Sequence, residues 1–419
     1  MALTLDSPVT APTTKADRYV VMDVLRGFAL LGVMMMNLYE FGGVDVLITA
    51  EQLAALPSAA LDGRLEFWLQ LFVYNKANTL FAFLFGLGFW VQMERLQARG
   101  APFRSIYLRR AAILLILGWI HLLCFFGWDI LHIYGIAAFI LFFSRKLPDR
   151  ALLWIGLTLL LFARPFVTWA FEVSGIKGLF DDPAAAEAGI LARQAAAQSG
   201  DFFTFIALVN QDYLRWALTG GLFGWIFYAL GRFFMGAWVA RRGWIQNAAD
   251  NLPMFRRWLW PLLIVGLLLE SVHLFTEDVA GDALFGQMEL LRTILHAVAT
   301  PLIAAGYICA IVLLFHGRSL SWLVRPFAPV GQMALTDYLT QSVVIILILT
   351  SVGPGLGLAG KAGASTFVPL VVTFFTAQIV ISYFWMKFFA FGPAEWLWRT
   401  LTYGKRPRFI RTALQTQPT

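Results

Sequence analysis

Long apolar runs alternate with short polar segments along almost the whole chain. Most of these runs have the length that an α-helix needs to cross the hydrocarbon core of a bilayer, about 20 residues. They cover roughly 19–42, 67–93, 110–128, 130–144, 151–172, 217–240, 258–276, 290–315, 328–351 and 365–391. The pattern predicts an all-α polytopic membrane protein with about ten transmembrane helices in one bundle.

Two of the runs depart from this pattern. The fourth run is short and follows the third almost without a loop, so the pair is predicted to form a tight hairpin that turns at the outer side. The second run carries Asn75, Lys76 and Asn78 in its first half. Polar groups inside a span indicate either a broken helix or a helix that lines a cavity.

Two loops on the outer side are long enough to hold structure of their own. Residues 43–66 contain an amphipathic piece suited to the membrane interface. Residues 173–216 contain an Asp-Asp-Pro sequence that resembles a helix start, which predicts a small helical cap. The predicted organisation is an N-terminal tail, a five-helix half, the outward loop, a second five-helix half and a basic tail, at 1–18, 19–172, 173–216, 217–404 and 405–419.

Composition and charge place the chain in a membrane and orient it there. Hydrophobic residues make up 59% of the chain and charged residues 14%, whereas soluble domains carry about 25% charged residues. The net charge of +7 comes from basic residues concentrated in alternate loops, around 95–110, 145–150, 241–257, 318–325 and 405–411. This positive-inside pattern predicts that both termini are cytoplasmic, and it indicates lipid rather than nucleic acid as the partner.

The segment Gly127–Gly135 holds the densest polar chemistry between two apolar runs. His121 lies on the preceding run, eight residues before Asp129, and His132 and Tyr134 follow. In the simpler interpretation Asp129 caps a helix. In the catalytic interpretation, which we favour, a histidine acts as general base and Asp129 orients it and stabilises its charge. The histidine spacing is not that of a zinc site, so no metal is predicted.

Four further polar residues fall in the first two runs. Asp23 and Arg26 are three apart, and they either pair at the inner interface or bind a ligand. Asn37 lies about three turns further out. Lys76 lies part-way into the membrane and needs a polar cavity or a partner. We expect Arg26, Asn37, Lys76 and Asp129 to face one polar interior space.

The second half of the chain adds weaker candidates. Glu289, Arg292 and His296 share one helical face and most simply form a charge ladder, with His296 as a third candidate base. Asp337 lies in VGQMALTDYLTQS, in the inner half of a predicted span. Glu395 and Arg399 are four apart and form a helix-surface pair, or border a cytoplasmic pocket for a phosphate-bearing donor.

Several of these segments resemble the YeiB-like bacterial membrane proteins. They are MDVLRGFALLGVMMMN, LFAFLFGLGFWVQMER, HLLCFFGWDILHIYG, GQMALTDYLTQS and FGPAEWLWRTLTYGK, which extend from the first helix to the last. That family is similar to integral-membrane acyltransferases, including heparan-α-glucosaminide N-acetyltransferase and bacterial glycan O-acyltransferases. The D-x-L-R-G element is matched by Asp23, Leu25, Arg26 and Gly27. Asn37 stands where the O-acyltransferases have a histidine, and Asp337 where asparagine is usual.

The resemblance implies a bacterial inner-membrane acyltransferase that takes an acyl group from cytoplasmic acyl-CoA or acetyl-CoA. The acceptor would be a hydroxyl or amine, on a glycan or small molecule, at the outward face. His121 or His132 would be the base held by Asp129, and Asn37 would donate to the oxyanion. The candidate binding residues are Arg26, Asp23, Lys76, Tyr134, Asp337 and Arg399. The sequence leaves the oligomeric state open.

Two other classes of protein remain open at this stage. A secondary transporter or flippase would use Lys76, Asp129, Glu270 and Arg292 as a substrate path and proton relay. The absence of a visible internal repeat counts against that alternative. A membrane scaffold or sensor would have all its intramembrane charges paired. Bound CoA would separate the enzyme from both.

Overall fold

The computed structural model describes residues 19–43, 46–100, 102–180, 182–279, 289–317 and 319–411. The predicted N-terminal tail and the end of the basic tail lie outside these described residues. The helices, α1 to α17 in chain order, span Val20–Gly42, Ala50–Ala54, Ala59–Phe72, Lys76–Ala98, Phe103–Cys124, Leu131–Phe143, Asp149–Val173, Pro183–Ser199, Phe202–Leu218, Gly221–Arg241, Leu252–Val279, Glu289–His316, Ser321–Val324, Phe327–Gln332, Ala334–Leu349, Ala364–Phe388 and Pro393–Tyr403.

The helices confirm an all-α, multi-pass membrane protein. Seven helices in the described ranges are long and apolar enough to cross a bilayer: α1, α5, α7, α10, α11, α12 and α16. Helices α6 and α15 fall within two of the three other apolar runs predicted to span, and α4 overlaps the third and extends five residues beyond it. The total of ten spans and the cytoplasmic position of both termini remain predictions.

The second apolar run is broken into α3 and α4. Helix α3 ends at Phe72, and Asn75 adopts a left-handed backbone conformation with φ 57° just before α4 begins at Lys76. Asparagine tolerates this conformation better than most residues because its short polar side chain bonds locally. The break exposes peptide groups at membrane depth, so the surrounding helices must supply polar partners.

Helices α5 and α6 form the predicted tight hairpin, and two glycines set their close approach. A Cβ at Gly118 would stand 2.2 Å from the backbone nitrogen of His132, and one at Gly135 would stand 2.8 Å from the Cα of Leu115. Small residues at such crossings let helix backbones touch. The hairpin therefore holds the end of α5 against the start of α6, where the predicted chemistry lies.

Helices α14 and α15 are two pieces of one interrupted helix, separated at Met333. The carboxylate of Glu395 on α17 caps the second piece, since it accepts from Leu335 N at 2.6 Å and from Thr336 N at 3.1 Å. Thr336 Oγ1 donates to the same side chain at 2.6 Å. Glu395 is thus more than a surface partner of Arg399. The break lies next to α1, and the second turn of α15 enters the interior of the bundle.

Helices α8 and α9 form a two-helix unit within the predicted outward loop. Asp182 accepts from two backbone nitrogens and Pro183 opens α8, as the Asp-Asp-Pro pattern predicts. Arg193 Nε donates to the carbonyl of Val46 at 2.8 Å. Asn210 Nδ2 on α9 donates to the carbonyl of Leu123 at 3.0 Å, at the end of α5. The α8–α9 unit is therefore anchored to the α5–α6 hairpin.

The predicted orientation can be tested by labelling. With exposed Cys124 replaced by serine and buried Cys309 retained, Ala195→Cys on the exposed side of α8 should react with a membrane-impermeant maleimide in intact cells. Arg406→Cys in the basic tail should react only after permeabilisation, because basic segments stay in the cytoplasm. The opposite pattern would invert the assignment of both faces.

Candidate functional site at the α5–α6 hairpin

The carboxylate of Asp129 is the centre of a buried cluster. One oxygen, Oδ1, accepts from His121 Nδ1 at 2.8 Å and from the hydroxyl of Tyr338 at 3.2 Å. The other, Oδ2, accepts from the backbone nitrogen of His132 at 3.0 Å and faces His132 Nδ1 at 3.2 Å. Asp129 is 2% exposed. It therefore caps the first turn of α6 and orients both histidines, so both sequence interpretations describe real contacts.

Tyr213 on α9 completes this Asp129 cluster from the α8–α9 unit. Its hydroxyl lies 2.6 Å from Nε2 of His132. Burial, followed by the charge of Asp129, raises the pKa of Tyr213, so its hydroxyl stays protonated at neutral pH and can donate. With Nδ1–H of His132 donating to Asp129, the hydroxyl of Tyr213 donates to the free lone pair of Nε2.

His121 differs from His132 in the hydrogen bonding of its Nε2 atom. Its Nδ1 bonds Asp129, but its buried Nε2 has no hydrogen-bond partner among the described residues. Its ring lies against Phe126 and Tyr338, with centroids 5.9 Å and 5.5 Å away. Nothing in the described ranges groups three His, Cys, Asp or Glu side chains in a way that could hold a metal ion.

A cavity of about 1000 Å³ opens on the side of the cluster that is predicted to face outward. We call it the outer cavity. Its wall includes Asp129, Tyr213, Asn37 and Asn78, together with four tryptophans, Trp128, Trp169, Trp216 and Trp225. Asn37 makes no hydrogen bond to the described part of the chain, so its amide can bond a molecule in the cavity. The outer cavity is large and polar enough to bind a sugar-sized molecule.

A second cavity of about 290 Å³ lies on the other side of the cluster, which the charge pattern predicts to be cytoplasmic. We call it the inner cavity. Five arginines line it, Arg26, Arg95, Arg99, Arg110 and Arg399. Arg26 also pairs with Asp23 at 3.0 Å. Arginine is favoured for binding phosphate, so this lining suits an anionic molecule from the cytoplasm.

The two cavities meet at residues 129–134, which we call the septum. Asp129, Ile130 and Ile133 line the outer cavity, whereas Leu131 and Tyr134 line the inner one. The hydroxyl of Tyr134 is buried and has no partner among the described residues. The prediction of one shared space was therefore wrong, because the hairpin stands between two spaces.

Lys76 belongs to a different buried cluster, formed at the α3–α4 break. Its ammonium bonds a carboxylate oxygen of Glu270, and it also donates to the carbonyl of Gln70 at 2.5 Å. Both carboxylate oxygens of Glu270 lie 3.0 Å from His296 Nδ1. His296 thus pairs with Glu270, whereas the side chain of Glu289 lies outside the described residues. Lys76 lines neither cavity directly.

Asp337 also lies away from both cavities. It is buried, and its carboxylate accepts from Gln378 Nε2 at 3.1 Å and from Ser382 Oγ at 3.1 Å. These contacts join α15 to α16. Asp337 therefore packs two helices together, and the structure does not bring it to the Asp129 cluster.

Three residues of these sites were missed by sequence reasoning. Tyr213 lies in the segment predicted to be an outward loop, far along the chain from the hairpin, and Tyr338 directly follows Asp337, which was the candidate in its segment. Arg232 lies in the sixth apolar run, is 2% exposed and lines the outer cavity. A guanidinium within an apolar run was the usable signal for Arg232. Nothing local in the sequence marks the two tyrosines.

The contact between Tyr213 and His132 predicts that removing the hydroxyl of Tyr213 lowers the rate of the reaction. If the acceptor's proton reaches His132 through Tyr213, then Tyr213→Phe should lower the transfer rate about 10²-fold and leave folding intact, because general acid–base catalysis is lost while the ring still packs. Single-turnover kinetics of the purified protein measure this. Tyr383→Phe, at an exposed position of α16 outside both cavities, is the matched control. An unchanged rate in Tyr213→Phe would exclude this proton path.

Comparison with known proteins finds relatives along almost the whole chain. Residues 239–405 match the family described as "Protein of unknown function (DUF418)". The uncharacterized protein YxaH of Bacillus subtilis (strain 168) is 28% identical over 409 residues, which cover 94% of this chain and 96% of that protein. The uncharacterized protein YeiB of Escherichia coli (strain K12) is 29% identical over 405 residues, covering 92% and 96%. The resemblance of this multi-pass membrane protein to the YeiB-like family is thus confirmed over almost the whole chain.

Proposed function

We propose that the protein is a transmembrane acyltransferase that moves an acyl group from cytoplasmic acyl-CoA to a hydroxyl or amine acceptor at the outward face. The observation that carries this proposal is the position of the Asp129 cluster between two cavities. A donor in the inner cavity and an acceptor in the outer cavity would approach each other at the septum. Such an arrangement orients two substrates that never share a compartment.

The inner cavity has the chemistry that a CoA thioester needs. Its five arginines offer charge-assisted hydrogen bonds to phosphates. The walls nearer the septum are apolar or aromatic, with Phe81, Phe85 and Leu131 among them. These suit the pantetheine arm and a short acyl group, which leaves the thioester close to Tyr134.

The reaction follows from groups at the septum. The acceptor oxygen or nitrogen attacks the thioester carbonyl carbon, and its proton passes through Tyr213 to Nε2 of His132. Asp129 stabilises the imidazolium that forms. The new C–O or C–N bond replaces the C–S bond as the tetrahedral intermediate collapses. The released CoA thiolate takes up the proton, so the base returns to its neutral form.

Two unbonded donors flank the septum for the oxyanion. Asn37 lines the outer cavity, and the hydroxyl of Tyr134 lies in the wall of the inner cavity. A donor held in place before the reaction contributes about 10²–10³ in rate when it meets an oxyanion. Asn37 keeps the role that the sequence suggests, and Tyr134 is a second candidate for it.

The proposal is tested by acyl-CoA binding and consumption in nanodiscs. The purified protein should retain CoA detectable by native mass spectrometry, and Arg26→Gln or Arg399→Gln should weaken acyl-CoA binding about tenfold or more, since each removes a charge-assisted bond. Arg150→Gln, at an exposed cytoplasmic position, should bind like the parent. A protein that neither binds acyl-CoA nor consumes it contradicts the proposal.

A secondary transporter or flippase is the second candidate. The Lys76–Glu270–His296 cluster favours it, because buried acid and histidine pairs beside a cavity serve as proton relays in transporters. Two cavities on opposite sides of a septum also suit alternating access. Proton-coupled uptake by proteoliposomes, abolished by Glu270→Gln but unaffected by Arg26→Gln, would favour transport over acyl transfer.

A further inference from the structure

A buried guanidinium in the wall of the outer cavity has only neutral contacts in the described structure. Arg232 lies within α10 and is 2% exposed. Its Nε donates to Thr79 Oγ1 and one terminal nitrogen donates to the carbonyl of Tyr228, each at 2.9 Å. Its central carbon stands 3.1 Å from the centre of the Tyr228 ring. The second terminal nitrogen remains available to the cavity.

The contacts of Arg232 also fix its position. Thr79 Oγ1 accepts from Arg232, so its own hydroxyl proton is directed to the hydroxyl of Tyr228, 2.9 Å away. Tyr228 in turn donates to the carbonyl of Asn75 at 3.1 Å. This chain ties the guanidinium to the α3–α4 break. Arg232 therefore presents its charge from a rigid wall, as an anion-binding group does.

The acidic residues of the outer cavity have other partners. Asn75 Nδ2 lies 3.1 Å from His296 Nε2, so it is His296 Nδ1 that carries the proton towards Glu270. Lys76 pairs with Glu270. The carboxylates that line the cavity interact as Glu40 with Arg164, Glu66 with Tyr39, Asp129 with the two histidines, Glu172 with Lys177, and Glu270 with Lys76.

Arg232 thus has no carboxylate among its hydrogen-bond partners, and Arg164 stands near it. Arg164 lines the same cavity and lies close enough to repel Arg232. Burying a lone cation in a membrane protein is costly unless a counter-charge or water meets it. We infer that the outer cavity binds an anionic oxygen group, phosphate or carboxylate, with Arg232 as its anchor and Arg164 as its second contact.

This inference rests on the proposed function, since it describes the acceptor. The acceptor would carry both the hydroxyl or amine that reaches the septum and a separate anionic group that holds it on the opposite wall. A sugar phosphate and the phosphate headgroup of a lipid share this chemistry. A neutral sugar would lack the anchor and would bind poorly.

The four tryptophans of the outer cavity give a direct readout. The full chain in phosphatidylcholine nanodiscs is titrated with glycerol 3-phosphate and, separately, with glycerol, and tryptophan fluorescence is recorded. We expect saturable change with glycerol 3-phosphate alone, weakened about tenfold or more in Arg232→Gln because a charged hydrogen bond is lost. Displacement of glycerol 3-phosphate by phosphatidic acid, but not by diacylglycerol, would identify a lipid headgroup as a source.

The controls separate the anion site from folding and from catalysis. Arg256→Gln, at an exposed position of α11 outside the cavity, should bind like the parent. Arg232→Lys retains the charge and should retain binding that weakens with salt, even if Arg232→Gln fails to fold. Equal responses to glycerol 3-phosphate and glycerol in the parent protein would overturn the inference. Acyl-CoA binding, measured on the same samples, reports separately on the proposed function.

Discussion

Asp129→Asn should lower acyl transfer by about 10²–10⁴-fold while the protein remains folded. The carboxylate accepts from both histidines and from Tyr338 through its two oxygens. Asparagine keeps a single acceptor oxygen and turns an amide donor towards groups that themselves donate. It also carries no charge to stabilise an imidazolium. The measurement is single-turnover transfer from a labelled acyl-CoA in nanodiscs.

The capping role of Asp129 gives the contrary expectation. Asparagine caps helices as well as aspartate does, so a residue that only caps α6 would tolerate the change in both stability and activity. Asp149→Asn, at an exposed carboxylate on the cytoplasmic side, controls for loss of charge alone. Full transfer activity in Asp129→Asn would mean that Asp129 only caps α6 and has no part in catalysis.

The two histidines differ in their surroundings, so we expect their alanine variants to differ in activity. We expect His132→Ala to match the loss in Asp129→Asn, because His132 reaches the outer cavity through Tyr213. His121→Ala should cost less, since its unbonded Nε2 is buried and faces neither cavity. The reverse order would assign the base to His121 and place proton transfer on another path.

The sequence predicts the local parts of this molecule well. Apolar runs of spanning length gave the helices, the Asp-Asp-Pro pattern gave the start of α8, and polar residues around Asn75 marked the break before α4. The hairpin of α5 and α6 followed from the short loop between them. Each of these features depends on residues close together in the chain.

What the sequence misses depends on contacts between distant segments. Tyr213 and Tyr338 reach Asp129 from residues more than 80 positions away, and no periodicity links them to the hairpin. The partner of Lys76 is likewise 194 residues away, on α11. Two cavities rather than one arise because residues 129–134 lie between them, with some lining one and some the other. Such an arrangement follows from packing and not from hydropathy.

Lys76→Met should destabilise the protein by about 3–5 kcal/mol, because it leaves the carboxylate of Glu270 buried without its cation. Lys76 and Glu270 are 0% and 1% exposed, so water compensates poorly for the lost partner. Glu270→Gln should lower the free energy of unfolding by a similar amount, because it leaves the buried ammonium of Lys76 without its carboxylate. The double variant Lys76→Met/Glu270→Gln should recover most of the loss, since no buried charge remains. Denaturant unfolding of the purified protein measures all three.

The exposed pair Lys177–Glu172 is the matched control, because Lys177→Met should cost at most about 1 kcal/mol there. Equal costs at both pairs would mean that water reaches Lys76. The double variant also separates the two candidate functions. An acyltransferase that uses the Asp129 cluster keeps its chemistry without the Lys76–Glu270 pair, whereas a transporter that relays protons through Glu270 loses coupling although the fold is restored. A stable double variant that transfers acyl groups but moves no protons would therefore assign this pair to structure.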